Sequence, residues 1–242
     1  MRASIFAGLS VCIAVSCGSA VSQAPGKVGA VRMHIEGINI PHIANAPFRA
    51  KVVVRWDQPL VGGGTVSKMY YTMVARDSQG RVRRERRSFI PADSSDEPPL
   101  LTFSITDPIS DTSTICTETT MACSRGLFRA RLDFVDDSND GLPAGNNSTR
   151  TSLGQQTMNG LTVVGTRETE AGTAGSGGSR RVALTSTEVW YSPDLHVDLS
   201  VIRNNPQTGK VTLTVTDLVR GQPDASWFAV PSGFSLKTAG AN

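Results

Sequence analysis

Residues 65–90 read TVSKMYYTMVARDSQGRVRRERRSFI, and the period of this stretch decides the fold class. Lys68, Tyr70, Thr72 and Val74 alternate with Met69, Tyr71, Met73 and Ala75, a period of two that sends successive side chains to opposite faces of a strand. Asp77-Ser78-Gln79-Gly80 follows as a turn, with Gly80 where a positive φ is needed. Residues 81–90 therefore return as the hairpin partner of residues 65–75.

The same pattern extends in both directions. Residues 48–56 (FRAKVVVRW) are rich in β-branched and aromatic side chains with polar ones interleaved, which predicts a strand. Further strands are expected at 100–106, 126–134, 154–158, 161–169, 181–191, 196–203 and 210–219. Asn159-Gly160 supplies a tight hairpin turn and residues 204–209 a longer one. Helical periodicity is confined to one turn at 223–228, with Asp224 as its N-cap and Pro231 stopping it. Residues 93–99, 139–148 and 172–179 are loops by composition, too short to separate domains. The expectation is a mainly β chain with one or two short helices.

The first 24 residues, MRASIFAGLSVCIAVSCGSAVSQA, carry one Arg2 and an apolar run over residues 3–20, the pattern of an export signal. Cleavage after Ala20 or Ala24 fits the small residues there. In the alternative, residues 13–17 (IAVSC) resemble a lipobox that departs from the usual form at Ala14, and Cys17 becomes a lipidated first residue. The expected organisation is a signal at 1–24, an extension at 25–43, one β-rich domain at 44–236 and a tail at 237–242. Such a domain is long enough to bury on the order of 70% of its unfolded surface. Outside the signal only Cys116 and Cys123 remain, and an even pair in an exported chain predicts a disulfide.

Charge is concentrated in one place. Between Arg76 and Arg87 stand six arginines, one Asp and one Glu, a balance of +4 in a chain of net +3, so the remainder sums to −1. Strand alternation puts Arg81, Arg83, Glu85 and Arg87 on one face and Val82, Arg84 and Arg86 on the other. Two readings follow. One is an edge strand protected from aggregation by charge. The other is an anion-facing patch, formed by Arg81, Arg83, Arg84, Arg86 and Arg87, for lipid headgroups or an acidic partner. Export argues against nucleic acid as the anion.

Catalytic signatures are lacking. His34, His42 and His196 have no GxSxG, HExxH or Gly-rich phosphate loop beside them, and Asp136 with Asp137 sits in an Asn/Gly-rich turn. The sequence predicts no enzyme and no cofactor, with one exception. Asp136, Ser138, Asp140 and Gly141 occupy the first, third, fifth and sixth positions of a DxDxDG-type calcium loop, whose twelfth position is Asn147 instead of Glu.

Four blocks carry a family resemblance: RDSQGRVRRE (76–85), SLGQQTMNGLTVVGTRET (152–169), EVWYSPDL (188–195) and LVRGQPDASWFAVPSGF (218–234). They resemble a group of exported proteins abundant in acidobacteria. That group is similar in architecture to the half-open β-barrel of the LolA/LolB-like lipoprotein carriers and the regulator RseB. The resemblance implies an antiparallel sheet curved around an apolar concavity, covered by residues 223–234 and 31–43. Three roles are open: binding of a lipid, acyl chain or envelope protein, at a membrane surface or away from it; relay of envelope stress to a regulatory partner; or a structural domain without ligand.

Overall fold

A computed structural model describes residues 37–128, 148–171 and 184–238. Among the described residues there are thirteen strands: β1 Phe48–Pro59, β2 Thr65–Arg76, β3 Val82–Arg87, β4 Ile90–Pro91, β5 Leu100–Asp107, β6 Thr112–Thr117, β7 Ala122–Leu127, β8 Ser148–Met158, β9 Leu161–Ala171, β10 Leu184–Ser192, β11 Val197–Asn205, β12 Gly209–Arg220 and β13 Ser235–Thr238. Two 3-10 turns, Glu118–Thr120 and Ala225–Phe228, are the only helical elements among the described residues.

All strands join one curved sheet in the order β13-β7-β6-β5-β3-β2-β1-β12-β11-β10-β9-β8, with β4 pairing only β2. The sheet stays open, as the half-barrel resemblance implies. Two meanders leave the centre in opposite directions, and β1 is the seam where β12 returns to the start of the domain. Every pairing is antiparallel except β13 on β7, which is parallel. A short crossing segment, not a hairpin, delivers β13 to that edge.

The hairpins form where the turn residues allow. Gly80 has φ 84°, and Asn159 with Gly160 have φ 50° and 73°, the left-handed pair of a two-residue hairpin. A side chain at Gly80 would meet the backbone of His42 and Ile43 at 3.2 Å, so glycine is required there for space as well as for φ.

Cross-strand partners share a face, which sorts the centre of the sheet into two surfaces. One, the valine face, carries Phe48, Ala50, Val52 and Val54 of β1 with Tyr70 and Val74 of β2, Val82 of β3, and Val211, Leu213 and Val215 of β12, all buried. The other, the cystine face, carries Ala75, Phe103, Ile105, Cys116 and Cys123. Burying both faces takes two covers. Residues 37–47 cover the valine face, with Ile38 and Ile40 buried and Arg84 donating to the Ile40 carbonyl. Residues 223–234 cover the cystine face.

Several expectations change. β3 lies between β2 and β5, so the arginine strand is interior and the edge-strand reading is wrong. The expected strand 81–90 ends at Arg87 and resumes as β4, after a register irregularity at Arg86–Arg87. β6 was not expected. Its sequence, TSTICT, lacks strong alternation, and it is fixed by β5 on one side and by β7 and the disulfide on the other.

Candidate functional site

The site is the cystine face beneath the strap formed by residues 223–234. Pro223 is buried, and Asp224 caps the following 3-10 turn by accepting from the Ser226 amide at 2.8 Å. That turn points Trp227 and Phe228 at the sheet. Phe228 enters the cluster of Ala75, Phe103, Ile105, Cys116 and Cys123, flanked by Leu100, Trp227, Val230 and Phe234. Phe234 meets Phe103 edge-on at 5.8 Å between centroids. Burying one such aromatic side chain contributes roughly 1.5–3 kcal/mol.

Cys116 and Cys123 are cross-strand partners in β6 and β7, joined as the predicted disulfide with 4.0 Å between Cα atoms. The bond forms the floor of the cluster, directly under the strap.

β3 supplies the polar part of the face. Arg81 donates to Asp77 at 2.6 Å, and its guanidinium stands 5.0 Å from the Phe228 ring. Arg83 lies 4.2 Å from the Phe103 ring and 5.8 Å from Trp227, and donates to the Trp227 carbonyl at 3.2 Å. Burial pulls the Arg83 pKa down, opposed by the charges of Glu85 and Glu118. Arg87 pairs with Glu85 at 3.0 Å and Glu97 at 2.7 Å, and donates to the Pro98 carbonyl. Burial works against the Arg87 charge, but those two carboxylates outweigh it and raise its pKa.

The face continues past the strap. Met73, Tyr71 and Met69 of β2 and Val53 of β1 are half-buried on the same side as Ala75. Lys51 stands 4.0 Å and Arg87 5.0 Å from the Tyr71 ring, a cation–π arrangement at the border of the apolar strip. Glu97 accepts from the Tyr71 hydroxyl, and that bond, with Arg87, holds its carboxyl below the usual range.

The five arginines expected to form one patch are thus divided by the sheet. Arg81, Arg83 and Arg87 lie under or beside the strap, Arg84 is tied to the N-terminal cover on the opposite face, and Arg86 is exposed on that opposite face. His42 and His196 are not brought to the strap: His42 bonds Gly80 and Thr106, and His196 bonds the Tyr191 hydroxyl. Cys17, His34 and the calcium-loop residues Asp136, Ser138 and Asp140 lie outside the described residues. Among the described residues, no three His, Cys, Asp or Glu side chains gather in a metal-binding group. No described helix is long and apolar enough to cross a membrane. Sequence reading missed Arg76, Tyr71 and Glu85. For Arg76, the opening residue of the charged run, nothing in the chain distinguishes a buried arginine from its exposed neighbours.

No family model matches this chain, and no curated protein matches it. Among solved structures it is similar to MucB, at 11% identity over 79% of this chain and a TM-score of 0.38. The chain spans 59% of the length of that MucB. The MucA/MucB complex of Pseudomonas aeruginosa gives 13% identity, 76% of this chain, 56% of that chain and a TM-score of 0.38. LprF from Mycobacterium bovis gives 16% identity over 76% of this chain and 89% of that one, with a TM-score of 0.30. The lipoprotein LppX of Mycobacterium tuberculosis gives 12%, 73%, 87% and 0.27 in the same order.

Proposed function

We propose that this chain is a non-enzymatic, exported binding protein of the cell envelope that takes an apolar ligand between the strap 223–234 and the cystine face. One observation carries the reading: the apolar surface does not stop at the strap but runs on as the half-buried Met73, Tyr71, Met69 and Val53. A face built only as core would be covered to its margin, whereas an apolar strip left half-open beside a cover made of a single turn suits a ligand site. The export signal at residues 1–24 supplies the compartment.

The test is titration of delipidated protein with a fluorescent fatty acid. Saturable binding near micromolar, about −8 kcal/mol, is expected. Trp227→Ala should weaken that binding more than it lowers the melting temperature. Absence of saturable binding, together with a large stability loss in the variant, would make the strap a plain core element and remove the ligand reading.

A second reading is supported by the opposite edge of the sheet. Among the described residues β8 is an outer strand of 11 residues, largely exposed along 152–157 and laddered to β9, and such an edge accepts an extended segment of a protein partner. Native mass spectrometry of protein isolated from its own envelope separates the two readings, reporting bound lipid in one case and a bound chain in the other.

A further inference from the structure

Arg83 differs from the other arginines of its strand in how its donors are used. Arg81 has the Asp77 carboxylate at 2.6 Å, and Arg87 has two carboxylates within 3.0 Å. Arg83 makes one hydrogen bond among the described residues, at 3.2 Å to the Trp227 carbonyl, and its nearest carboxylate oxygen, on Glu85, stands at 3.9 Å. Glu85 uses Oε2 for Arg87 at 3.0 Å and for the Met73 amide at 3.3 Å, and turns Oε1 toward Arg83 at 3.9 Å, beyond hydrogen-bond distance. The Arg83 side chain is only 13% exposed, held near the rings of Phe103 and Trp227 at the border of the apolar cluster.

A guanidinium is a planar fork whose parallel N–H groups match a carboxylate or phosphate, and aromatic neighbours fix its plane in advance. A partly desolvated fork with most of its donors unused, beside an apolar strip, is complementary to a molecule with an anionic head and a hydrocarbon tail. We propose that Arg83 is the head-group residue of the strap site, so that the ligand is a single anionic amphiphile whose carboxylate or phosphate sits on Arg83 and whose acyl chain lies along Met73, Tyr71 and Met69. This rests on the reading of the strap-covered face as an apolar ligand site and adds the chemical class of the ligand. The charge selects the ligand, while the apolar strip supplies most of the affinity.

The experiment compares two probes on delipidated protein, 11-(dansylamino)undecanoic acid and its methyl ester, which differ only in the charge of the head. The wild type should bind the acid at least about tenfold more tightly than the ester, the size of a charge-assisted hydrogen bond. Arg83→Gln should abolish that preference, bringing the ratio of acid to ester affinity to about one, while Arg86→Gln, an exposed site on the opposite face, should keep it. Competition by oleate and by lysophosphatidic acid tells carboxylate from phosphate, with uncharged monoolein as the control. Equal binding of acid and ester by the wild type, or a preference that survives Arg83→Gln, overturns the assignment while leaving the apolar site standing. Failure of both probes overturns the apolar site itself. Should Arg83→Gln not fold, the wild type decides the matter: raising salt from about 20 mM to about 0.5 M must weaken the acid and not the ester, and an equal response of both refutes the assignment.

Discussion

Arg76 is the largest fully buried side chain among the described residues, and no carboxylate answers its charge. Its guanidinium donates instead to the carbonyls of Ala46 (twice), Pro41 and Leu195 at 2.6–3.0 Å, with the Phe48 ring 5.1 Å away. Burial brings its pKa down to about 10, which leaves it charged at neutral pH. Those bonds tie the N-terminal cover to the turn before β11, so Arg76→Met should cost about 3 kcal/mol, read as a lower denaturation midpoint, because the buried Leu195 carbonyl and the part-buried carbonyls of Pro41 and Ala46 lose their donor. His42 sits on the same cover, with Nδ1–H donating to Gly80 and Nε2 near the Thr106 hydroxyl. Burial is the largest effect and lowers its pKa, the Gly80 bond opposes it, and the charges of Arg84 and then Arg76 lower it further. A base whose folded pKa lies below its unfolded value of about 6.5 favours the fold in full above that pH. Stability should therefore fall as pH drops below about 6.5, and His42→Gln should flatten this part of the profile in denaturation measured at several pH values. At this scale the alternation of Arg81, Arg83 and Arg87 against Arg84 and Arg86 was legible from the period of two. Which of the two faces would be covered, and by what, was not.

Elements are decided by pairing as much as by propensity. β6 shows this: its threonines give no clear period, yet it forms because β5 and β7 flank it and the Cys116–Cys123 bond closes the hairpin. The even cysteine count predicted the bond, while the strand that carries it became visible only from its neighbours. Replacing both cysteines by serine should cost about 2.5 kcal/mol on the chain-entropy model for so short a loop. Thermal melts of the variant and of the reduced wild type should show the same loss, and free labelling of both thiols in the unreduced protein would refute the bond. The strap is the opposite case, since Pro223, Asp224 and Pro231 announce one capped turn and the turn forms at Ala225–Phe228. β3 stops at Arg87, where a register irregularity interrupts its pairing with β5 and the side chain is held by Glu85 and Glu97.

Across the whole molecule the order of strands sets the gradient of stability. Among the described strands β1, β2 and β12 are central, and β8 and β13 stand at the ends of the order. Amide exchange should be slowest in β1, β2 and β12 and fastest in β8 and β13, because opening a margin breaks one ladder and opening the centre breaks the sheet. Uniform protection across all strands would contradict this order. By itself the sequence determined the strand class, the main hairpins, the disulfide and the capped turn of the strap, all of which depend on the period of side chains, on turn residues within a few positions, or on cysteine count. Only the tertiary structure decided that β3 is interior, that β12 returns to β1, that the sheet has two covered faces, and that five neighbouring arginines meet different partners. These are contacts between residues far apart in the chain, such as Arg83 with Trp227 and Arg76 with Leu195. No local pattern encodes such pairs, because what selects them is burial of apolar surface by the sheet as a whole.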